Sequence, residues 1–131
     1  MYEFHGWFGI AESTEEADVG SLSEGLEDLK VMISAIAWAT GKVELHVYNG
    51  ENFVIANGVM NRRRDEEGEL SALLNHLASR FPGAWGILYE RSDDFGGPPG
   101  PGAFRVRTMA RGVINNRLDP FLSPCRPIIE D

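Results

Sequence analysis

Two spacings of apolar residues run through the chain. Leu22, Leu26, Leu29, Ile33 and Ile36 follow at intervals of 4, 3, 4 and 3, which places them on one face of a helix. Ser21 and Glu24 have the spacing of a capping box, and Thr40-Gly41 reads as the end of that helix. Trp38 falls off the centre of the stripe. A second stripe, Leu70, Leu73, Leu74, Leu77 and Phe81, stops at Pro82-Gly83. Between the helices, residues 43–48 alternate apolar and polar. Asn49-Gly50 suits a type I′ turn, and Phe53, Val54 and Ile55 lie on the returning strand. Residues 2–11, 84–91 and 103–110 read as further strands, with a last short one from Val113 after Arg111-Gly112. Asn57-Gly58 and the charged residues 62–69 read as loop. Residues 92–102 hold four glycines and three prolines, a loop by composition. Pro120, Pro124 and Pro127 make the tail an extended surface segment.

The resulting order, β-α-β-β-α-β-β-β, predicts an α+β fold: a mostly antiparallel sheet with two helices packed on one face. Its first six elements match a ferredoxin-like order, followed by an added hairpin. With 131 residues and no internal break, residues 1–131 are expected to form a single domain. Hydrophobic residues at 43% and charged residues at 24% argue against disorder. No apolar run approaches the ~20 residues of a membrane-spanning helix. The lone Cys125 and an N-terminus without a secretory pattern lead to an expected cytoplasmic address.

Charge changes this picture of an ordinary domain. Residues 1–60 hold ten acids against Lys30 and Lys42, a net of −8, whereas ten acids and ten arginines balance in residues 61–131. Seven acids, Glu12, Glu15, Glu16, Asp18, Glu24, Glu27 and Asp28, occur without an intervening base. Two readings stand. The run can be a solvated helix face with acids near a helix N-terminus. Alternatively, it can attract a basic partner while repelling nucleic acid and anionic membranes.

Catalytic chemistry has little support. His5, His46 and His76 lack helical ligand spacing, and there is no Cys-x-x-Cys, so no metal or cofactor is expected. Glu3 and His5 could share a strand face, more simply as a surface pair than as metal ligands. Cys125 in a proline-rich tail has no helix N-terminus to lower its pKa and reads as a small hydrophobe. Pro98, Pro99 and Pro101 remove N–H groups that a phosphate-binding nest needs. Arg62-Arg63-Arg64 is followed directly by Asp65, Glu66 and Glu67, which can neutralise it. The residues describe an acidic, non-enzymatic binding domain. Trp7, Trp38 or Trp85, if exposed, would be its natural anchors.

Ordered fragments then carry a resemblance. Tyr2-Glu3-Phe4-His5-Gly6-Trp7-Phe8 resembles the opening of the Immunity protein 7 family of bacterial polymorphic toxin systems. So do Gly41-Lys42-Val43-Glu44-Leu45 with Asn49-Gly50, Pro82-Gly83-Ala84-Trp85-Gly86-Ile87-Leu88-Tyr89 and Ala110-Arg111-Gly112. The ending Asp119-Pro120-Phe121-Leu122-Ser123-Pro124-Cys125 is similar as well. The resemblance implies an immunity protein of interbacterial competition that binds the C-terminal domain of a cognate toxin and neutralises it. It carries over no catalytic residues, and the matching aromatics and tail could equally be fold determinants. A basic nuclease would suit the acidic first half, with its active site or an exosite covered. The alternative is a non-enzymatic adaptor or small-molecule-binding domain. The toxin's identity and the oligomeric state are left open by the sequence.

Overall fold

The computed structural model describes residues 1–12, 22–61, 65–95 and 100–122. Its elements follow the expected order: β1 (Tyr2–Ile10), α1 (Leu22–Ser34), β2 (Gly41–Tyr48), β3 (Glu51–Met60), α2 (Asp65–Arg80), β4 (Trp85–Ser92), β5 (Phe104–Ala110) and β6 (Val113–Leu118). The six strands form one sheet in the order β2-β3-β1-β4-β5-β6, with every neighbouring pair antiparallel. Strand β3 therefore lies between β1 and β2, and β1 lies between β3 and β4. This is the split βαβ arrangement of a ferredoxin-like core, and the β5–β6 hairpin widens it beyond β4.

Local chemistry sets the tight hairpins. Asn49 and Gly50 adopt φ of 52° and 80°, the left-handed pair that a type I′ turn requires. Arg111 and Gly112 repeat it at 52° and 77° between β5 and β6. Strand alternation then divides the sheet into two faces. Tyr2, Phe4, Phe8, Val54, Ala56, Met60, Leu88 and Met109 point to the helix side and form one core with Leu29, Leu70, Leu73, Leu74, Leu77 and Phe81. Gly25 brings the helices together: a Cβ there would lie 2.8 Å from Phe81 Cε1.

Three expectations from the sequence need correction. Helix α1 ends at Ser34 instead of near Thr40. The Ile36 N–H bonds to Ile33 O at 3.0 Å, Ala35 N–H is shared between Val31 and Met32 carbonyls, and Ser34 Oγ caps Val31 O at 2.8 Å. That tightened last turn releases the chain, yet Ile36 and Trp38 still pack on the core. Asn57-Gly58 lies inside β3 rather than in a loop, because Gly58 pairs with both Phe4 and Gly41. A Cβ at Gly58 would meet the Phe4 ring at 2.6 Å, so absence of a side chain is the requirement there. Finally, α2 begins at Asp65, so the second half of the 62–69 stretch is helix rather than loop. The Ser21 half of the capping box, Arg62-Arg63-Arg64 and the tail from Ser123 lie outside the described residues.

Candidate functional site

Of the seven acids singled out from the sequence, α1 brings three together. Glu24, Glu27 and Asp28 stand at i, i+3 and i+4, all exposed, opposite the buried Gly25 and Leu29. Lys30 Nζ lies 3.0 Å from Glu27 Oε1, a pair open to solvent that offsets little of the local charge. Glu12 is half-buried beyond the end of β1 and is engaged within the fold, so it does not extend this exposed group. Glu15, Glu16 and Asp18 lie outside the described residues.

The other sheet face carries the exposed aromatics. His46 stacks on Tyr48 with ring centroids 5.4 Å apart, Tyr48 meets Phe53 at 5.9 Å, and Phe53 meets Trp85 edge-on at 6.1 Å. This row crosses from β2 to β4 by passing over Gly9, which pairs with both Phe53 and Trp85. A Cβ at Gly9 would stand 2.5 Å from Trp85 Cε2, so the glycine lets the indole lie against the sheet. Trp7 projects from the same face. Trp7 and Trp85 are 45% and 49% exposed, whereas Trp38 is partly buried, with its ring edge-on to Phe4 at 5.2 Å. Period-two alternation places Trp7 opposite Phe4 and Phe8. That alternation separates Trp7 from Phe4 and Phe8, but nothing local revealed which of the two sides the helices cover.

Farther along this face, Glu3 is clamped. His5 Nε2 lies 2.6 Å from its Oε2, while Arg91 Nε and Nη2 donate to Oε1 at 3.1 and 2.6 Å. Partial burial opposes ionisation, but the His5 and Arg91 hydrogen bonds and their charges hold the Glu3 carboxyl below the usual carboxylate range. A cleft of about 620 Å³ opens beside His5, lined also by Trp38, Thr40, Lys42, Asn57 and Val59. Although a carboxylate–histidine pair borders it, Arg91 occupies the carboxylate's other oxygen. The Thr40 hydroxyl donates to Met60 Sδ at 3.1 Å, so this rim supplies no activated nucleophile. Among the described residues, no group of three His, Cys, Asp or Glu side chains is placed to hold a metal ion.

Sequence reasoning missed a buried polar cluster on the helix side of the sheet. Glu90 is fully buried. Its Oε1 accepts the Tyr2 hydroxyl at 2.7 Å, and its Oε2 accepts Arg105 Nε at 3.0 Å and Arg107 Nε at 2.9 Å. Arg107 Nη2 closes a bidentate contact on Oε1, while Nη1 donates to Ser71 at 2.8 Å. Arg105 reaches Glu67 at 3.0 Å. Burial, with Glu90's negative charge and hydrogen bond, pushes the Tyr2 hydroxyl far above the ordinary tyrosine value, so it remains a donor. Burial works against the Arg105 charge, but the two carboxylates hold it protonated above its usual value. The cluster ties β1, β4, β5 and α2 together. Every Glu90 oxygen is committed, which makes the cluster architectural in its chemistry.

Neither solved structures nor curated proteins produced a match to this chain. The model of the family described as Immunity protein 7 matches residues 1–131. The chain belongs to the Immunity protein 7 family.

Proposed function

We propose that this protein is a cytoplasmic, non-enzymatic immunity protein of a polymorphic toxin system, and that it neutralises the C-terminal domain of a cognate toxin by binding it. The observation that carries this reading is the family match over all of residues 1–131. No helix among the described residues is long and apolar enough to cross a membrane. The toxin surface we assign is basic, as in many nucleases. It meets the acidic segment Glu12, Glu15, Glu16, Asp18, Glu24, Glu27 and Asp28, and covers the active site or an exosite. The exposed Glu24, Glu27 and Asp28 on one turn and a half of α1 support that assignment, since aligned like charges focus the field a basic partner follows.

The test is co-expression with the C-terminal domain of the large protein encoded beside this gene. Restored growth and a co-purifying complex are expected; undiminished toxicity would overturn the proposal. A second reading, small-molecule binding, has one supporting observation. The cleft beside His5 and Trp38 falls within the ~300–1,000 Å³ of ordinary ligand sites. A small ligand that raises Tm for the native chain but not for Lys42→Ala would favour it.

A further inference from the structure

We propose that the cleft beside His5 and Trp38 is a binding site for a small monocarboxylate with a flat apolar body. The assignment rests on the small-molecule reading of that cleft and is independent of the toxin.

Charge is the first selector. The chain has twenty acids against twelve bases, and residues 1–60 hold only Lys30 and Lys42 against ten acids. The cleft nevertheless takes Lys42 into its lining, and no carboxylate residue. Lys42 forms no ion pair with another described residue. Two acids share this face nearby, Glu44 two positions after Lys42 and Glu3 two positions before His5. Both are engaged elsewhere: Glu44 lies 3.4 Å from His46, and His5 and Arg91 take the two oxygens of Glu3. An anion entering the cleft therefore meets a cation with no partner of its own, in a molecule whose net charge otherwise repels it.

Register supplies the geometry. Lys42 pairs with Asn57 on β3, and Asn57 pairs with His5 on β1, so the three stand in one row across adjacent strands. Paired residues on neighbouring strands have Cβ atoms about 5 Å apart, so Lys42 and His5 bracket a gap of about 10 Å with Asn57 between them. A carboxylate over Asn57 can take the ammonium on one oxygen and the amide N–H on the other. The ionised Glu3 only accepts, so His5 spends its Nε2–H there and forms the far wall.

The rest of the lining suits an apolar body. Val59 is half-exposed, and the paired Gly41 and Gly58 add no side chain. The Trp38 indole completes it, and its Nε1–H is buried with no partner among the described residues. Such a donor has lost water without a return, and a ligand acceptor brought against this ring supplies one. Charge number then separates carboxylate from phosphate. A phosphate monoester carries about −1.5 to −2 at pH 7, and arginine forks or backbone nests commonly hold it. The lining has one ammonium and no arginine, which balances a single negative charge.

The experiment uses the full chain without toxin, and 2-naphthoate as the probe. Proton–nitrogen NMR titration should show saturable binding, with the Trp38 indole N–H signal moving more than those of Trp7 and Trp85. The neutral 2-naphthamide should bind about tenfold more weakly, and 2-naphthyl phosphate no more tightly than the carboxylate. Lys42→Gln should weaken 2-naphthoate binding by about tenfold with circular dichroism unchanged. Trp38→Phe, which keeps a ring but not the N–H, should cost about threefold. Equal affinity for the amide, tighter binding of the phosphate, or full affinity in Lys42→Gln overturns the monocarboxylate assignment and leaves a small-molecule cleft standing. Absence of saturable binding by all three probes up to about 5 mM overturns both.

Discussion

Glu90→Gln tests whether the buried cluster holds the sheet together. The substitution preserves shape but removes the negative charge between two arginines. Arg105 retains Glu67, at 3.0 Å and partly in solvent, whereas Arg107 retains only Ser71 among its described partners. The bidentate partner of a buried guanidinium is thus lost, and removal of one member of a buried pair costs about 3–5 kcal/mol. Retained contacts place the expectation at the lower end, ~3 kcal/mol. An unfolding entropy of roughly 0.28 kcal/mol/K for 131 residues converts this to a Tm fall of ~11 °C. Urea unfolding followed by circular dichroism should show the lower midpoint with an unchanged slope. The same physics makes a less intuitive demand. Glu90→Met with Arg107→Met should be more stable than Glu90→Met alone, because the double variant no longer buries an uncompensated cation. A Glu90→Gln loss below ~0.5 kcal/mol, or a double variant worse than the single one, would refute this account.

Three other perturbations read separate parts of the molecule. Gly86→Ala should destabilise the fold by about 1–3 kcal/mol in urea melts, because its Cβ would collide with the Trp7 carbonyl and stand 2.7 Å from Phe8 Cα, both backbone atoms of β1. Glu3 has a folded pKa below its unfolded value. Its contribution is therefore complete above the unfolded pKa of ~4.3 and disappears as pH falls through the lower folded value, so Glu3→Gln should flatten the acid limb of stability against pH. Neutralising Glu24, Glu27 and Asp28 to Gln, Gln and Asn should slow toxin association by about tenfold at low salt. The difference should shrink once the Debye length reaches ~8 Å. An unchanged low-salt on-rate, measured by surface plasmon resonance, would remove these three residues from the interface.

The fold class was legible because its signals are local. Leu70, Leu73, Leu74, Leu77 and Phe81 repeat at helical spacing, and all five are buried where that spacing put them. Asn49-Gly50 encodes its turn through backbone conformations that few other residue pairs tolerate. Gly58 shows the limit of the same reasoning. Glycine after asparagine suggests a turn, but the Phe4 ring from another strand requires the bare backbone there. Of the charged surface, the sequence supplied the run of acids, while burial distinguished exposed Glu24, Glu27 and Asp28 from half-buried Glu12.

Helical stripes, turn residues and strand alternation by themselves determined the elements, their order and the antiparallel α+β class, because each depends on residues a few positions apart. Tertiary structure alone decided that Glu90 meets Tyr2 and Arg107, 88 and 17 residues away, and that Trp7 and Trp85 stand exposed on one face while Trp38 packs against Phe4. The physical reason is that burial and ion pairing belong to positions in space. The chain reaches those positions only when six strands align in register and both helices cover the same side.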